Sequence, residues 1–372
     1  MSTAFTEHDD RAMRRALELA ARGLETTDPN PRVGCVIVQG ERTVGEGWHE
    51  RAGEPHAEVM ALRAAGRDAE GATAFVTLEP CSHHGRTPPC VEALIAARIG
   101  RVVYAMQDPN PLVRGRGAER LRAAGIRVDS GLLQQRAAEL NEGFTKRMEQ
   151  GRPFVRLKLA MSLDGRTALA NGTSQWITGE AARADVQRWR ARSSAVLTGI
   201  GTVLADDPRL TVRTASTRPR PPLRVVLDSA LRTPPSARLL ESPGEVLIFS
   251  TSHDAQRRVA LEARGARVER LDAVEGPRPA LERVLARLAA AEVNELLVEA
   301  GATLAGAIVR AGFADELLLY VAPVLLGPQA RALLALPELT DLAASPRFDI
   351  VETHQLDADL RLRLRPRATT AA

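Results

Sequence analysis

The sequence predicts two α/β units in tandem, and three observations carry that reading. Residues 1–150 alternate short apolar runs with amphipathic ones; "EQGRP" at 149–153 interrupts the alternation; and a fresh apolar run, "FVRLKLAMS" at 154–162, restarts it. A chain of 372 residues has room for two or three domains at roughly 100–200 residues each. The expected units are 1–150 and 151–372. Strand–helix alternation in the first implies a helix–sheet–helix sandwich with a mostly parallel sheet.

Each element has its own signal. Residues 6–23 read as a helix: Thr6 with Asp9 three residues on makes a capping box, and Ala12, Met13, Ala16, Leu17 and Ala20 recur at helical spacing. "VGCVIVQ" (33–39) is a short apolar strand and "TVGEGWH" (43–49) its hairpin partner. "HAEVMALRAAG" (56–66) is a helix stopped by Gly66. Strands at 73–79, 101–106 and 126–129 alternate with helices at 91–98 and 117–125, and a polar helix is expected over 134–149. After the break come a strand at 154–162, a helix at 179–192, a strand at 195–199, an irregular stretch through "DDPRLTVR", and a strand at 223–229. The Pro-rich "TRPRPPL" (217–223) is a surface loop, because alternation continues beyond it. A strand at 245–250, helices at 254–264 and 279–291, a strand at 295–301, a helix at 302–311 and a strand at 315–323 follow, and 348–366 reads as a closing hairpin.

Composition narrows the function classes. Apolar residues make up 44% and charged residues 26%, ordinary for a globular chain. No run approaches the roughly 18 apolar residues of a membrane span. The opening "MSTAFTEHDDRAMRR" has no apolar h-region, so neither a secretory signal nor a transit peptide fits, and the expected compartment is the cytoplasm. A disulfide is disfavoured there, which turns attention to metal binding or catalysis by the cysteines. The net charge of +4 suits anionic small substrates. Basic residues are spread over helical faces without interleaved aromatics, so no nucleic-acid partner is expected.

Two of the three cysteines fall in one loop, "LEPCSHHGRTPPC" (78–90). His56 opens a helix, Cys81 follows a strand and Cys90 opens the next helix, so three ligand types sit at element ends where they can converge. One imidazole and two thiolates make the three-ligand set of a catalytic zinc, which keeps its fourth position for water and lowers the pKa of that water to about 7. Glu58, two residues past His56, is placed to shuttle protons to a leaving nitrogen. This is the H-x-E…P-C arrangement of zinc deaminases. Their general pattern has two residues between the cysteines, whereas eight stand here, so "SHHGRTPP" must loop out and return Cys90. Cys35, inside an apolar strand, belongs to the core.

"PNPRVGCVIV", "GEPHAEVMAL", "VTLEPCSHHGRTPPC" and "MQDPNPLVRGRG" together resemble the deaminase half of the bifunctional riboflavin-biosynthesis deaminase/reductases of the RibD type, whose cysteine spacing is the one found here. The resemblance implies a cytidine-deaminase-like three-layer α/β/α domain. It implies zinc on His56, Cys81 and Cys90, Glu58 as proton shuttle, and a 2,5-diamino-6-ribosylamino-4(3H)-pyrimidinone 5′-phosphate that loses its C2 amino group as ammonia. Asn30, His49, His83 and Arg86 would contact base, ribose or phosphate.

In the second half, "VEAGATLAGAIV" (298–309) is a strand entering a helix through Gly301, a turn that can present backbone N–H groups to a phosphate. It is not G-x-G-x-x-G, so a Rossmann dinucleotide fingerprint is not supported, and close packing accounts for the glycines equally well. Residues 154–366 look like the reductase half of the same family, a domain similar to dihydrofolate reductase. NADPH-dependent reduction of the ribosyl side chain to ribityl is implied, with hydride delivered to C1′ of the ring-opened sugar imine. Carried over, Ala160, Trp176, Thr202, Asp206, Ser229, Gly301, Ala302, Thr303, Leu304, Ala305, Gly306 and Ala307 would contact the cofactor. Ser174, Arg190, Leu210, Arg213 and Glu299 would contact the substrate, with Arg190 and Arg213 as bidentate grips on its 5′-phosphate. Residue 302 is Ala where Gly or Pro is expected, and Lys158 receives no role. A homo-oligomer, dimer or tetramer, is expected. Two other readings stay open on the residues alone: a nucleic-acid or nucleoside zinc deaminase with an accessory domain, and a zinc-stabilised binding module.

Overall fold

A computed structural model describes residues 5–82, 88–111, 113–213, 219–273 and 276–367. The chain divides into two compact units, Met1–Arg152 and Pro153–Ala372.

The first unit runs α1 (Glu7–Ala21), β1 (Gly34–Gln39), β2 (Arg42–Trp48), α2 (Ala57–Ala65), β3 (Thr73–Leu78), α3 (Cys90–Ala96), β4 (Arg101–Met106), α4 (Arg116–Ala123), β5 (Arg127–Ser130), α5 (Gln134–Leu140) and α6 (Glu142–Gln150). The predicted box closes α1: the Thr6 hydroxyl accepts the Asp9 N–H and the Asp9 carboxylate accepts the Thr6 N–H, both at 3.1 Å. The sheet order is β2-β1-β3-β4-β5. β3, β4 and β5 are parallel, but β1 pairs antiparallel with both β2 and β3, so the sheet is mixed rather than mostly parallel. The β1–β2 hairpin is the cause: it turns the chain back before α2 crosses to β3. One face buries Met13, Ala16 and Leu17 of α1 against Val36, Phe75 and Val103. The other buries Ala57 and Ala61 of α2, Leu94 of α3 and Leu121 of α4 against Ile37, Val76 and Val102. The result is a three-layer α/β/α sandwich.

The polar helix expected over 134–149 is two helices. They meet at Asn141, whose side chain accepts the Arg32 N–H at 2.8 Å and donates to the Arg32 carbonyl at 2.9 Å. This buried clasp, 109 residues apart in the chain, sets a backbone conformation that a continuous helix does not have.

The second unit runs β6 (Phe154–Ser162), β7 (Arg166–Ala168), α7 (Glu180–Arg192), β8 (Ala195–Gly199), α8 (Ile200–Asp206), β9 (Leu223–Leu227), α9 (Arg238–Glu241), β10 (Val246–Ser250), α10 (Ala255–Glu262), β11 (Ala266–Arg270), α11 (Leu281–Ala290), β12 (Glu295–Glu299), α12 (Ala302–Arg310), β13 (Glu316–Ala322), β14 (Arg331–Ala332), β15 (Phe348–Leu356) and β16 (Asp359–Pro366). Nine strands form one sheet, β11-β10-β9-β8-β12-β6-β13-β16-β15, parallel from β11 to β13 and antiparallel in the closing hairpin. Leu285 and Leu288 of α11 and Ile308 of α12 cover one face, over Leu157, Leu197 and Val298. Val186 and Trp189 of α7 cover the other, over Val196, Leu318 and Tyr320. Because the central strands are parallel, their carboxyl ends share one edge, the edge where open α/β sheets bind ligands.

Candidate active sites

The first site forms where α2, β3 and α3 end or begin. His56 is the N-cap of α2, extended at φ −73°, so its side chain is thrown clear of the helix toward α3. Pro89 caps α3 and hands Cys90 to its first turn. The His56 Nδ1 lies 3.1 Å from Cys90 Sγ and 3.6 Å from Cys81 Sγ, and the Cys90 N–H donates to Cys81 Sγ at 3.3 Å. All three ligand atoms lie within 4.8 Å of one another. Zinc–nitrogen and zinc–sulfur bonds of about 2.1 and 2.3 Å at the tetrahedral angle place N and S about 3.6 Å apart. The Cys81 pair has that separation and the Cys90 pair is tighter, so the donor set and its spacing fit zinc. Among the described residues this is the one cluster of three such groups.

Electrostatics agree. The hydrogen bond from the Cys90 thiol, with His56 beside it, pulls Cys81 down to about 4, whereas Cys90 is pushed up by the neighbouring Cys81 and by burial. The pair thus favours the thiolate at Cys81, the form a metal needs. Glu58, 3% exposed in the first turn of α2, faces Cys90. Burial, then the Cys81 charge, raise its carboxyl to about 7.

Two glycines let these elements close. A Cβ on Gly47 of β2 would lie 2.5 Å from the Ala57 carbonyl, so α2 can reach the sheet only over glycine. A Cβ on Gly117 would lie 2.0 Å from the Pro80 carbonyl, so the second glycine of "RGRG" lets α4 pack beside the Pro80–Cys81 turn. Glu79 fastens the same turn: its buried carboxylate accepts the N–H groups of Asp108, Gly115 and Ala118 at 3.3, 3.0 and 3.2 Å. Sequence reasoning passed over Glu79, although its place directly before Pro80-Cys81 was a signal. Asn30 and His49 do come together: Asn30 Nδ2 is 3.0 Å from His49 Nε2, His49 Nδ1 donates to the Pro55 carbonyl at 3.2 Å, and the ring stands edge-on to His56 at 5.2 Å. Burial lowers His49 to about 4, so it is neutral. His83 and Arg86 lie outside the described residues. Cys35 is fully buried on β1, as its apolar surroundings require.

The second site is a cavity of about 1720 Å³ at the carboxyl edge of the large sheet. Its walls include Ala160, Trp176, Thr202, Asp206, Ser229, Gly301, Ala302, Thr303, Leu304 and Ala307, together with Ser174, Arg190, Leu210, Arg213 and Glu299. Ala305 and Gly306 are not among its walls. Helical periodicity turns them inward, Ala305 into the core and Gly306 against the Ala335 carbonyl. Trp176 is 66% exposed with the Arg183 guanidinium 4.7 Å from its ring centre, so it lines the cavity and not the core. Arg190 has partners that its sequence position did not reveal. Its Nε and Nη2 donate to the two Glu299 oxygens at 2.5 and 2.9 Å, and its Nη1 donates to the Thr211 carbonyl at 2.9 Å. Three of its five N–H donors are thus engaged by the protein, so Arg190 organises Glu299 at the cavity wall. Burial raises Glu299, but Arg190 and Lys158 outweigh it and hold the carboxyl below its usual range. Burial in turn lowers Lys158, against the pull of Glu299.

Family models match both halves of the chain. Residues 6–106 match the cytidine and deoxycytidylate deaminase zinc-binding region, and residues 153–362 match the RibD C-terminal domain. The riboflavin biosynthesis protein RibD of Escherichia coli K12 is 52% identical over 96% of this chain and 99% of its own length. The chain belongs to the RibD family. The Haemophilus influenzae RibD is 47% identical over 98% of this chain and 99% of its own. Among solved structures, Acinetobacter baumannii RibD superposes with a TM-score of 0.90 at 48% identity, covering 97% of this chain and 99% of that one. A Thermotoga maritima protein described as a diaminohydroxyphosphoribosylaminopyrimidine deaminase/5-amino-6-(5-phosphoribosylamino)uracil reductase does so with a TM-score of 0.85 at 35% identity, covering 97% and 99%. This chain is a bifunctional enzyme of riboflavin biosynthesis, with a zinc-binding deaminase region and a reductase region. A near full-length match leaves no call for a nucleic-acid deaminase or a zinc-stabilised module. No helix among the described residues is long and apolar enough to cross a membrane.

Proposed function

We propose that residues 1–150 deaminate 2,5-diamino-6-(5-phosphoribosylamino)pyrimidin-4(3H)-one and that residues 151–372 then reduce its ribosyl chain with NADPH, giving 5-amino-6-(5-phosphoribitylamino)uracil. The observation that carries the first step is the convergence of His56, Cys81 and Cys90 with Glu58 buried alongside. These three side chains would hold zinc, which supplies Lewis-acid activation of the attacking water. Glu58 takes the proton that water gives up and delivers it to the amino group; a C2–O bond forms, the C2–N bond breaks and ammonia leaves. Burial of Glu58 keeps the carboxyl near the pH at which it can both accept and donate. Asn30 and His49 sit against this site as substrate contacts, with His83 and Arg86 expected to join them. In the second step the cavity residues would hold the nicotinamide cofactor against C1′ and exclude water, and the cofactor would supply hydride to that carbon.

The chain works in the cytoplasm, where its three cysteines, none of them in a disulfide, stay reduced. It assembles as a homo-oligomer; the edge strand β15, with Ile350 60% and Val351 49% exposed, supports this, and sedimentation tests it. The decisive test of the whole reading is Glu58→Gln. It retains one zinc per chain, loses ammonia release, and still oxidises NADPH with pre-deaminated substrate; joint loss of both activities would overturn the assignment of separate sites.

A further inference from the structure

The cavity contains a group of cations that the reading above leaves unused. Arg232 and Arg278 line it, and neither makes a side-chain hydrogen bond or ion pair among the described residues. Both lie beside Ser229. Arg232 is on the turn that follows β9, three residues on from Ser229. Arg278 follows Pro277, whose carbonyl accepts the Thr251 hydroxyl at 2.8 Å, and that same hydroxyl lies 3.1 Å from the Ser229 carbonyl. The turn is rigid, because Asp228 accepts both the N–H and the hydroxyl of Thr233 at 2.7 and 2.8 Å.

Position in the sheet says which part of a ligand arrives here. The substrate end of the cavity is marked by Glu299 and Lys158 at β12 and β6, where the nicotinamide must meet the sugar. From β6 to β9 the order is β6-β12-β8-β9, three strand steps of about 4.8 Å, or about 14 Å. An extended dinucleotide that started over Ala160 and passed Gly301 at the N-terminus of α12 would therefore bring its adenosine ribose to Ser229. A cofactor with a bare ribose is usually met at this strand end by a carboxylate that accepts the 2′-hydroxyl. Asp228 occupies that place, but it is fully buried and turned to Thr233. What lines the cavity there instead, beside the carboxylate of Glu282, is the positive charge of Arg232 and Arg278.

We propose that Arg232 and Arg278 bind the 2′-phosphate of the cofactor and make the second site select NADPH over NADH. The inference rests on the reductase reading. Guanidinium groups suit a phosphate because their donors match two of its oxygens at once, and at a rim this open the ribose alone would earn little from them.

Calorimetric titration of the full chain with NADPH, NADH, adenosine 2′,5′-bisphosphate and 5′-AMP tests it. Arg232→Ala is expected to weaken NADPH and the bisphosphate by about 10- to 100-fold while NADH and 5′-AMP hold their affinities. Arg278→Ala moves the same pair in the same direction, and Arg232→Lys recovers part of the loss. Unfolding midpoints for each variant show that the change is not one of folding; should Arg232→Ala not fold, Arg278→Ala and Arg232→Lys carry the test alone. Equal losses for phosphorylated and unphosphorylated ligands, or no loss for either, would overturn the proposal while leaving the reductase reading intact. A wild-type chain that binds neither NADPH nor the bisphosphate would overturn the reductase reading itself.

Discussion

Replacing Arg190 by Ala probes the reductase cavity most sharply, because the structure gives that residue a partner, Glu299, that its sequence position did not reveal. The substitution removes two charge-assisted hydrogen bonds to Glu299 and one to the Thr211 carbonyl. Glu299 is left with Lys158 and Arg213 as its remaining cations. Breaking one side of a buried pair costs about 3–5 kcal/mol. The two side chains here keep 11% and 12% of their exposure, which puts the cost at the lower end, about 3 kcal/mol. For a unit of roughly 200 residues that is a fall in Tm of about 6–12 °C. The assay is thermal unfolding of Arg190→Ala, Glu299→Gln and the double variant, read alongside reductase kcat and KM. The double variant should lose less than the sum of the singles, by at least about 1.5 kcal/mol, because the second substitution removes the charge that the first stranded. Strict additivity would refute the claim that Arg190 acts through Glu299. So would a loss confined to substrate KM with unchanged Tm, the signature of a direct phosphate grip.

Other consequences are as definite. Glu299 and Glu316 are both held below the usual carboxylate value: burial raises each, but Arg190 on the one and Arg156 with Arg363 on the other more than offset it. A depressed carboxylate stabilises the fold above its unfolded pKa of about 4.3 and loses that contribution as pH falls through its lower folded value. The second unit should therefore soften below about pH 4, and Glu316→Gln should flatten that acid limb in a pH–Tm series. Gly117→Ala places a methyl 2.0 Å from the Pro80 carbonyl and should lower both zinc content and deaminase rate, because α4 must back away from the Cys81 turn. Metal analysis should find those losses together; full zinc with full activity would show that the turn tolerates the shift. Cys35→Ala should leave zinc stoichiometry at one per chain and cost about 1 kcal/mol in denaturant unfolding, since the thiol is a buried filler on β1.

Much of this was legible in the residues. The capping box at Thr6, the hairpin at 33–49 and the three ligands at element ends are local patterns, and local patterns survive folding. What was not legible depended on distant partners. The break at Asn141 follows from a bond to Arg32 that no window around 134–149 contains. β11 has two inward apolar residues, Ala266 and Val268, too few to show a period, and it exists because β10 offers an edge. Arg190 and Glu299 could both be assigned to the cavity, yet only coordinates show that each is the other's partner. Ala305 and Gly306 were included with the rest of a glycine-rich turn, but a helix turns them away from the cavity after its first residues. Arg232 and Arg278 carried no motif at all, since an unpaired guanidinium is recognisable only once its surroundings are known.

The account depends on a metal held by three protein ligands with its remaining position left to solvent. X-ray absorption at the zinc edge of the full chain measures this directly. One zinc per chain with one nitrogen and two sulfur neighbours, completed by a single light atom that exchanges with added ligand, is the predicted result. A shell closed by four protein donors, or no bound zinc in active protein, would contradict it.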